Sequence, residues 1–351
     1  MIRLKKASAF FLILILLLAA WQHSLILYGF SQLRGQLKII AAVQPIEDVK
    51  ADPGIPQQWK EKLKLLDKIR LFAADSLKLN VSDNYTTFYN QHDKPVLWVL
   101  TGCLPYRLEA KTWWFPLIGN VTYKGFFDQP NGERAKQELI AEGYEAELSP
   151  TSAWSTLGWF KDPILSNMLK KGDGTFAELI IHELTHATVF LKSNVDFNEN
   201  LATFIGEESA LLFLKTMFTD TSAQYIRYVQ YKKDEEIYGR YMVNSTTRLD
   251  SLYKSFNDVM PEPDKAREKK NLIRKIMAGI DSLPLHNKER YSFDFKTDSL
   301  PGNTFFMENK RYRKSQEKFE ERFVKDFNRN LMLFISYIKE TDPEVLIREL
   351  E

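Results

Sequence analysis

The chain contains little of what a disulfide scaffold, a collagen or a disordered segment would need. Among its 351 residues there is a single cysteine, Cys103, together with only 15 glycines and 14 prolines. One cysteine excludes an internal disulfide bond and a cysteine-rich zinc module. The low glycine and proline content, combined with 44% hydrophobic residues, excludes collagenous and low-complexity classes and is typical of a folded protein.

The chain also lacks an excess of charge of one sign. It has 48 basic and 46 acidic residues, which leaves a formal net charge of +2. A protein that binds nucleic acid through its backbone phosphates normally carries a strong positive field. The composition therefore does not indicate a nucleic-acid partner.

One long apolar stretch stands at the N-terminus. It runs from Ala7 to Phe30, is interrupted by Gln22–Ser24, and follows the basic residues Arg3, Lys5 and Lys6. Its length reaches the roughly 20 residues that the hydrocarbon core of a bilayer requires. Basic residues ahead of such a segment favour the cytoplasmic side. The pattern predicts one transmembrane anchor over residues 1–30, with a cleaved signal segment as the alternative, and places the rest of the chain on the non-cytoplasmic side of a cell membrane.

The remaining residues, 31–351, read as one α+β domain dominated by helices. Residues 31–79 have helical periodicity, residues 85–127 contain β-branched and aromatic runs between turn residues, and the chain after Glu178 is almost wholly helical. The predicted fold is therefore a small sheet in the N-terminal half of a helix-rich domain, preceded by one transmembrane helix.

Two histidines spaced four residues apart are candidate metal ligands. His182-Glu183-Leu-Thr-His186 lies in a hydrophobic segment with helical periodicity. Residues four apart share one face of a helix, so both imidazoles can bind one metal ion. Glu183 would then lie beside the ion and act as the general base on a metal-activated water. The pattern predicts a zinc site built from His182 and His186.

A zinc site of this kind needs a third protein ligand. Glu199 is the first candidate, because the turn residues before it and Asn198, a predicted N-cap, indicate a second helix that could approach the first. Glu207 and Glu208 are the competing ligands. We expect Glu199 to complete the site with His182 and His186.

The combination His182-Glu-Leu-Thr-His186 followed by Asn198-Glu199-Asn-Leu-Ala202 resembles the gluzincin metallopeptidases. More closely, the chain resembles a bacterial family of predicted aminopeptidases. Further segments carry this resemblance: Arg34–Leu37, Pro45–Asp48, Lys111–Pro116, Ser155–Pro163 and Asn303–Phe306. The resemblance implies a zinc cofactor, a peptide or protein substrate, and a thermolysin-like pairing of a sheet with the zinc helix. With the predicted anchor, the expected location of the domain is a bacterial periplasm.

The resemblance leaves several alternatives open. The Gly-x-Met-Glu-Asn element, which binds the substrate amino group in well-known gluzincin aminopeptidases, does not occur upstream of His182, so exopeptidase and endopeptidase activity both remain possible. A second hypothesis is a catalytically silent peptide-binding or scaffold protein on the same fold.

Residues 155–160 are a candidate substrate-pairing strand. Candidate residues to stabilise the oxyanion are Tyr225, Tyr228, Tyr231 and Tyr312.

Overall fold

The fold is known from a computed structural model, which describes residues 23–81, 84–115, 119–151, 161–191, 194–295, 299–311 and 316–350. The helices are α1 (His23–Ile40), α2 (Ile46–Ala51), α3 (Gln57–Asp75), α4 (Gln129–Ala141), α5 (Asp173–Thr188), α6 (Val195–Phe218), α7 (Ala223–Ser255), α8 (Glu262–Gly279), α9 (Asn303–Arg311), α10 (Gln316–Phe327), α11 (Leu331–Glu340) and α12 (Pro343–Leu350). The strands are β1 (Gln44–Pro45), β2 (Thr87–Tyr89), β3 (Leu97–Cys103), β4 (Trp113–Phe115), β5 (Gly119–Val121), β6 (Tyr123–Phe126), β7 (Glu145–Thr151) and β8 (Ile164–Leu165). Single 3₁₀ turns cover Met168–Lys170 and Ile280–Ser282.

The strands form two three-stranded sheets and one hairpin. In the first sheet, β2 lies between the antiparallel β1 and the parallel β8, with Phe88 opposite Ile164. In the second sheet, β3 lies between β6 and β7 and is antiparallel to both. Strands β4 and β5 pair as a separate hairpin. The predicted helix-rich α+β class with strands in the N-terminal half is confirmed, although the strands form several small sheets rather than one.

Strands β2 and β8 of the first sheet contribute to the main hydrophobic core, as does α5. Phe88 of β2 and both residues of β8 are almost completely buried, as are Ile180 and Leu184 of α5. Strands buried on both faces are uniformly apolar, which explains why the short run Ile164–Leu165 shows no alternation and was missed in the sequence. The first sheet and α5 therefore share one hydrophobic core.

Helix α6 is fixed from its other side by aromatic residues of the C-terminal helices. Phe204 of α6 contacts Phe319 and Phe323 of α10 and Phe334 of α11, with ring centroids 5.4–5.7 Å apart. These four rings are buried. Phe319, Phe323 and Phe334 near the C-terminus are thus part of the core.

A second hydrophobic core joins α7, α8 and α9. Asn303, at the start of α9, is fully buried there, and its amide nitrogen donates to the carbonyl oxygens of Leu104 and Pro105. Its amide oxygen accepts a hydrogen bond from the hydroxyl of Tyr253 at 2.7 Å. Asn303 therefore links the chain that follows β3 to α7 and α9.

The prediction of a transmembrane helix is wrong for the part of the chain that the structure describes. Among the residues described, no helix combines the length and the apolar character needed to cross a bilayer. The part of the predicted span that is described lies in α1, which continues through Arg34 and Lys38 and packs on the second sheet: Tyr28 and Gln32 both donate to the carbonyl oxygen of Gly125. Residues 7–22 lie outside the described residues. The predicted location outside a cell membrane stays a prediction.

Candidate metal centre

Helix α5 carries both histidines on one face. It begins after Gly172, and Asp173 in its first turn forms an ion pair with Lys62, a favourable place for a negative charge at a helix N-terminus. It ends at Thr188, where Val189 takes an extended conformation. His182 and His186 are therefore one turn apart in the C-terminal half of a helix whose opposite face is fixed in the core.

The structure brings His182, His186 and Glu199 together. The two Nε2 atoms of the histidines lie 3.1 Å apart. The Glu199 carboxylate faces both rings: Oε2 lies 3.4 Å from Nε2 of His182, and Oε1 lies 3.5 Å from Nε2 of His186. In the part of the chain that is described, this is the one group of histidine, cysteine or acidic side chains arranged to hold a metal ion.

These distances fit a shared zinc ion. Zinc binds nitrogen and oxygen ligands at about 2.0–2.1 Å in tetrahedral geometry, which separates any two ligand atoms by about 3.3 Å. The 3.1 Å between the two Nε2 atoms lies close to this value, as do the 3.4 and 3.5 Å that separate each Nε2 from the nearer oxygen of the Glu199 carboxylate. Both separations to Glu199 are also longer than a good hydrogen bond. A donor set of two imidazoles and one carboxylate is one that catalytic zinc sites use.

Helix α6 brings Glu199 to this position, but not through the predicted N-cap. The helix begins at Val195, so Glu199 lies in its second turn and Asn198 lies inside the helix. The buried amide of Asn198 instead holds Leu191, accepting from its backbone N–H and donating to its carbonyl oxygen, both at 2.8 Å. This pair of bonds fixes the chain that connects α5 to α6.

The second ring nitrogens of the histidines differ in their surroundings. Nδ1 of His182 lies 3.5 Å from the hydroxyl of Thr203 on α6. Nδ1 of His186 is buried and, among the described residues, has no hydrogen-bond partner. Metal-binding histidines usually donate this second N–H to an acceptor, which fixes the ring. His182 is thus oriented by α6, whereas His186 is held by packing.

The pKa values of Glu199 and His182 are shifted by their contacts with one another. Burial raises the pKa of the Glu199 carboxyl, but the close polar contacts with His182 and His186 outweigh it and hold the pKa well below its usual range. Burial lowers the pKa of His182, yet the close contact with Glu199 and the charge of Glu183 raise it above its usual value. The site therefore favours an ionised Glu199 beside the two rings.

Glu183 lies next to this group without being part of it. Burial is the main cause that raises the pKa of Glu183; the charges of His182 and His186 lower it, and those of Asp162 and Glu199 raise it again. A carboxyl group whose pKa is shifted toward neutrality is better suited to exchange protons at physiological pH. The position and the environment of Glu183 are those expected of a general base.

Tyr85 and Asp162 lie at the Glu183 side of the site and were not identified in the sequence. The Tyr85 backbone donates to the carbonyl oxygen of Asp162 at 2.8 Å, and both residues are buried. Burial, followed by the charges of Glu183 and Asp162, raises the pKa of Tyr85 well above its usual value. Tyr85 was predicted to begin a strand, but it has φ of 61° and the strand begins at Thr87. A bulky residue in this backbone region is uncommon and gives no sequence signal.

The competing acidic residues lie elsewhere. Glu207 forms an ion pair with Lys232 of α7, and the charges nearest Glu208 are those of Glu320, Arg329 and Glu207. The structure therefore brings neither of them into the histidine group.

Of the candidate tyrosines, Tyr228 donates its hydroxyl to Glu178 at 2.8 Å. The ring of Tyr231 lies against the guanidinium of Arg290, and Tyr225 packs on the main core. The structure thus assigns a hydrogen-bond partner to one candidate, and that partner is a carboxylate rather than a substrate position. Tyr312 and the candidate pairing strand at residues 155–160 lie outside the described residues.

Comparison with known proteins gives the family of the chain. A family model described as putative aminopeptidase matches residues 27–343. The chain belongs to this family. Membership in the putative aminopeptidase family places the chain among peptidases, that is, hydrolases that act on peptide substrates. No curated protein and no solved structure matches the chain.

Proposed function

We propose that the chain is a zinc-dependent peptidase in which His182, His186 and Glu199 hold the metal and Glu183 is the general base. The observation that carries the proposal is the convergence, beside Glu183, of two imidazole Nε2 atoms 3.1 Å apart and one carboxylate, whose two oxygens lie 3.4 and 3.5 Å from them. Family membership supports the peptide substrate independently of this geometry.

The roles of the side chains follow from their positions. When bound, zinc would supply Lewis-acid chemistry, polarising the scissile carbonyl group and lowering the pKa of water. Glu183 accepts the proton of the attacking water on one carboxylate oxygen and later gives it to the leaving amine. Glu199 contributes one negative charge to the site, so the charge of a divalent ion is only partly neutralised.

The packing supports precise placement of these groups. Both histidines belong to one helix whose other face is buried, and Thr203 contacts the second nitrogen of His182. Ligands on rigid helices keep their geometry when substrate binds and products leave. The arrangement is therefore that of a preformed site rather than one assembled by the substrate.

Metal content tests the ligand assignment. The full chain should bind about one zinc per molecule, and His186→Ala and Glu199→Ala should each reduce this stoichiometry or weaken the affinity by at least tenfold. Glu207→Ala is the matched control, because Glu207 is an acidic residue of the same helix that pairs with Lys232. Full zinc binding by Glu199→Ala, with loss in Glu207→Ala, would reject the assigned third ligand.

Turnover tests the role of Glu183. Glu183→Gln should retain zinc and lose peptide hydrolysis by a factor of at least 10², whereas Glu208→Gln should retain both. Peptides with free and with acetylated N-termini distinguish aminopeptidase from endopeptidase activity. A zinc-loaded chain that hydrolyses neither kind of peptide would contradict the proposed catalytic function.

A further inference from the structure

Phe190 is an exposed aromatic side chain beside a metal-site histidine. Its exposed fraction is 55%, although it follows a helix that is otherwise anchored in the core. Its ring meets the ring of His186 edge to face, with centroids 6.5 Å apart. Isolated exposed apolar residues need no explanation on a protein surface. An exposed phenyl ring in contact with a catalytic-site imidazole is different, because a substrate must pass close to it.

The backbone at Phe190 is held rigidly. On one side, the N–H of Val189 donates to the carbonyl oxygen of Thr185 and closes the end of α5. On the other side, Leu191 is buried and both of its backbone polar groups bond to the side chain of Asn198. Asn198 directly precedes Glu199, so the position of Phe190 is fixed relative to the third candidate ligand as well as to His186.

We infer that Phe190 forms one wall of a substrate subsite and gives the enzyme a preference for an apolar residue next to the scissile bond. This inference rests on the proposed peptidase function and adds the class of substrate side chain to it. The occupant is an aliphatic or aromatic residue of the substrate, because covering an exposed phenyl ring with apolar surface removes both from water. A charged residue at the same place would lose hydration without gaining a partner.

The charged group of the site is engaged by the two histidines: the oxygens of the Glu199 carboxylate lie 3.4 and 3.5 Å from their Nε2 atoms. The phenyl ring of Phe190 itself offers a substrate side chain only apolar contact. It is a specificity-determining residue, since it contacts substrate without taking part in proton transfer.

The test uses two pairs of peptides. The two peptides of a pair differ in one residue, which is Leu or Asp. This residue precedes the scissile bond in one pair and follows it in the other. With the zinc-loaded full chain, Phe190→Ala should raise KM for the Leu peptide of one pair by about tenfold, with little change in kcat, and leave the Asp peptide within about twofold. Phe190→Leu should keep most of the preference. Phe295→Ala is the matched control, because Phe295 is 48% exposed and lies in a different part of the chain.

A second arm measures binding without turnover. The zinc-loaded Glu183→Gln variant is titrated with the same peptides by calorimetry, with and without Phe190→Ala. Tighter binding of the Leu peptide that disappears in Phe190→Ala supports the subsite, even when the wild-type chain proves unable to hydrolyse peptides. The inference is overturned if the ratio of the Leu-peptide value to the Asp-peptide value is the same in wild type and Phe190→Ala, both for KM and for the dissociation constant. The zinc-dependent chemistry then still stands wherever hydrolysis is observed.

Discussion

Gly206 of α6 lies directly against His182 of α5. A Cβ atom placed on Gly206 would lie 2.9 Å from the carbonyl oxygen of Glu178 and 3.3 Å from Cβ of His182. The two helices that carry the three candidate ligands are thus in backbone contact one turn beyond Thr203. Glycine at this position sets the distance between Glu199 and the histidines.

Replacing Gly206 with alanine should disturb this distance. The added methyl group meets backbone of α5 rather than a flexible side chain, so α6 must move outward by several tenths of an ångström. Overpacking of this kind costs about 1–3 kcal/mol in the free energy of unfolding. We expect Gly206→Ala to be destabilised by this amount in urea unfolding and to bind zinc at least tenfold more weakly.

Gly29→Ala is the control for this substitution. Gly29 also lies inside a helix, α1, but no atom of the described residues lies within 4 Å of a Cβ added there. Alanine should therefore stabilise the chain by about 0.5–1 kcal/mol through helix propensity alone. Equal effects of the two substitutions on zinc affinity would show that the contact between Gly206 and His182 does not control the metal site.

Asn198 gives a second prediction about how the site is held. Its amide group satisfies the N–H and the carbonyl oxygen of Leu191, and all of these groups are buried. Asn198→Ala leaves the buried Leu191 N–H without its acceptor and leaves the Leu191 carbonyl oxygen only the 3.3 Å bond from the N–H of Asn194, which should cost about 2–4 kcal/mol. Asn198→Asp keeps the acceptor for the Leu191 N–H, but its ionised carboxylate faces the Leu191 carbonyl oxygen, so its cost should be smaller at a pH that protonates the carboxyl group than at neutral pH. Chemical denaturation of the three proteins at both pH values measures these effects, and a cost of Asn198→Asp that does not depend on pH would exclude the two-bond account.

The sequence was sufficient for the parts of the site that one helix determines. The spacing of His182 and His186 fixes their common face, and Glu183 follows from its position between them. Glu199 could be ranked above Glu207 and Glu208 because turn residues precede it. Its actual position in the second turn of α6 was not predicted. Asn198 is of a residue type favoured at the N-cap, but its side chain instead accepts a hydrogen bond from the N–H of Leu191.

The features that sequence could not provide depend on contacts between distant segments. Tyr85 and Asp162 meet because β2 and β8 pair in parallel, and a two-residue strand such as β8 has no periodicity to detect. The predicted anchor failed for a related reason. The apolar character of residues 25–30 was assigned to a bilayer, whereas in α1 Tyr28 contacts the second sheet and the helix continues through polar and basic residues.

A buried carboxyl group behind His182 gives a third prediction. Glu178 lies one turn before His182 on α5, and burial raises its pKa above the usual value, whereas the hydrogen bond from Tyr228 lowers it. Tyr228→Phe should destabilise the chain by about 1–2 kcal/mol, because the carboxyl group loses its 2.8 Å donor. The effect should largely disappear when Glu178 is replaced by alanine. A double-mutant cycle in urea measures the coupling, and a coupling near zero would reject this interaction.

Glu208 gives a prediction about pH. Burial is the main cause that raises the pKa of Glu208 to about 7, and the charge of Glu320 adds to it, whereas the charge of Arg329 lowers it. A carboxyl group with a raised folded-state pKa stabilises the fold while it is protonated in the native state, and this contribution is lost as pH rises through the folded pKa. This contribution to the free energy of unfolding should therefore be lost between about pH 4.3, the pKa of a glutamate in the unfolded chain, and pH 7–8.

The measurement compares the wild type with Glu208→Gln, whose amide stays neutral. Between pH 4.5 and pH 8, the free energy of unfolding of the wild type should fall relative to that of Glu208→Gln by about 2 kcal/mol, less than the full shift implies because the side chain is only partly buried. The exposed Glu289→Gln variant is the reference for removing a surface carboxyl group. A difference between wild type and Glu208→Gln that does not change over this range, or that changes in the opposite direction, would show that Glu208 is ionised in the folded chain throughout. Its position between Glu320 and Arg329 would then have to favour the charged form.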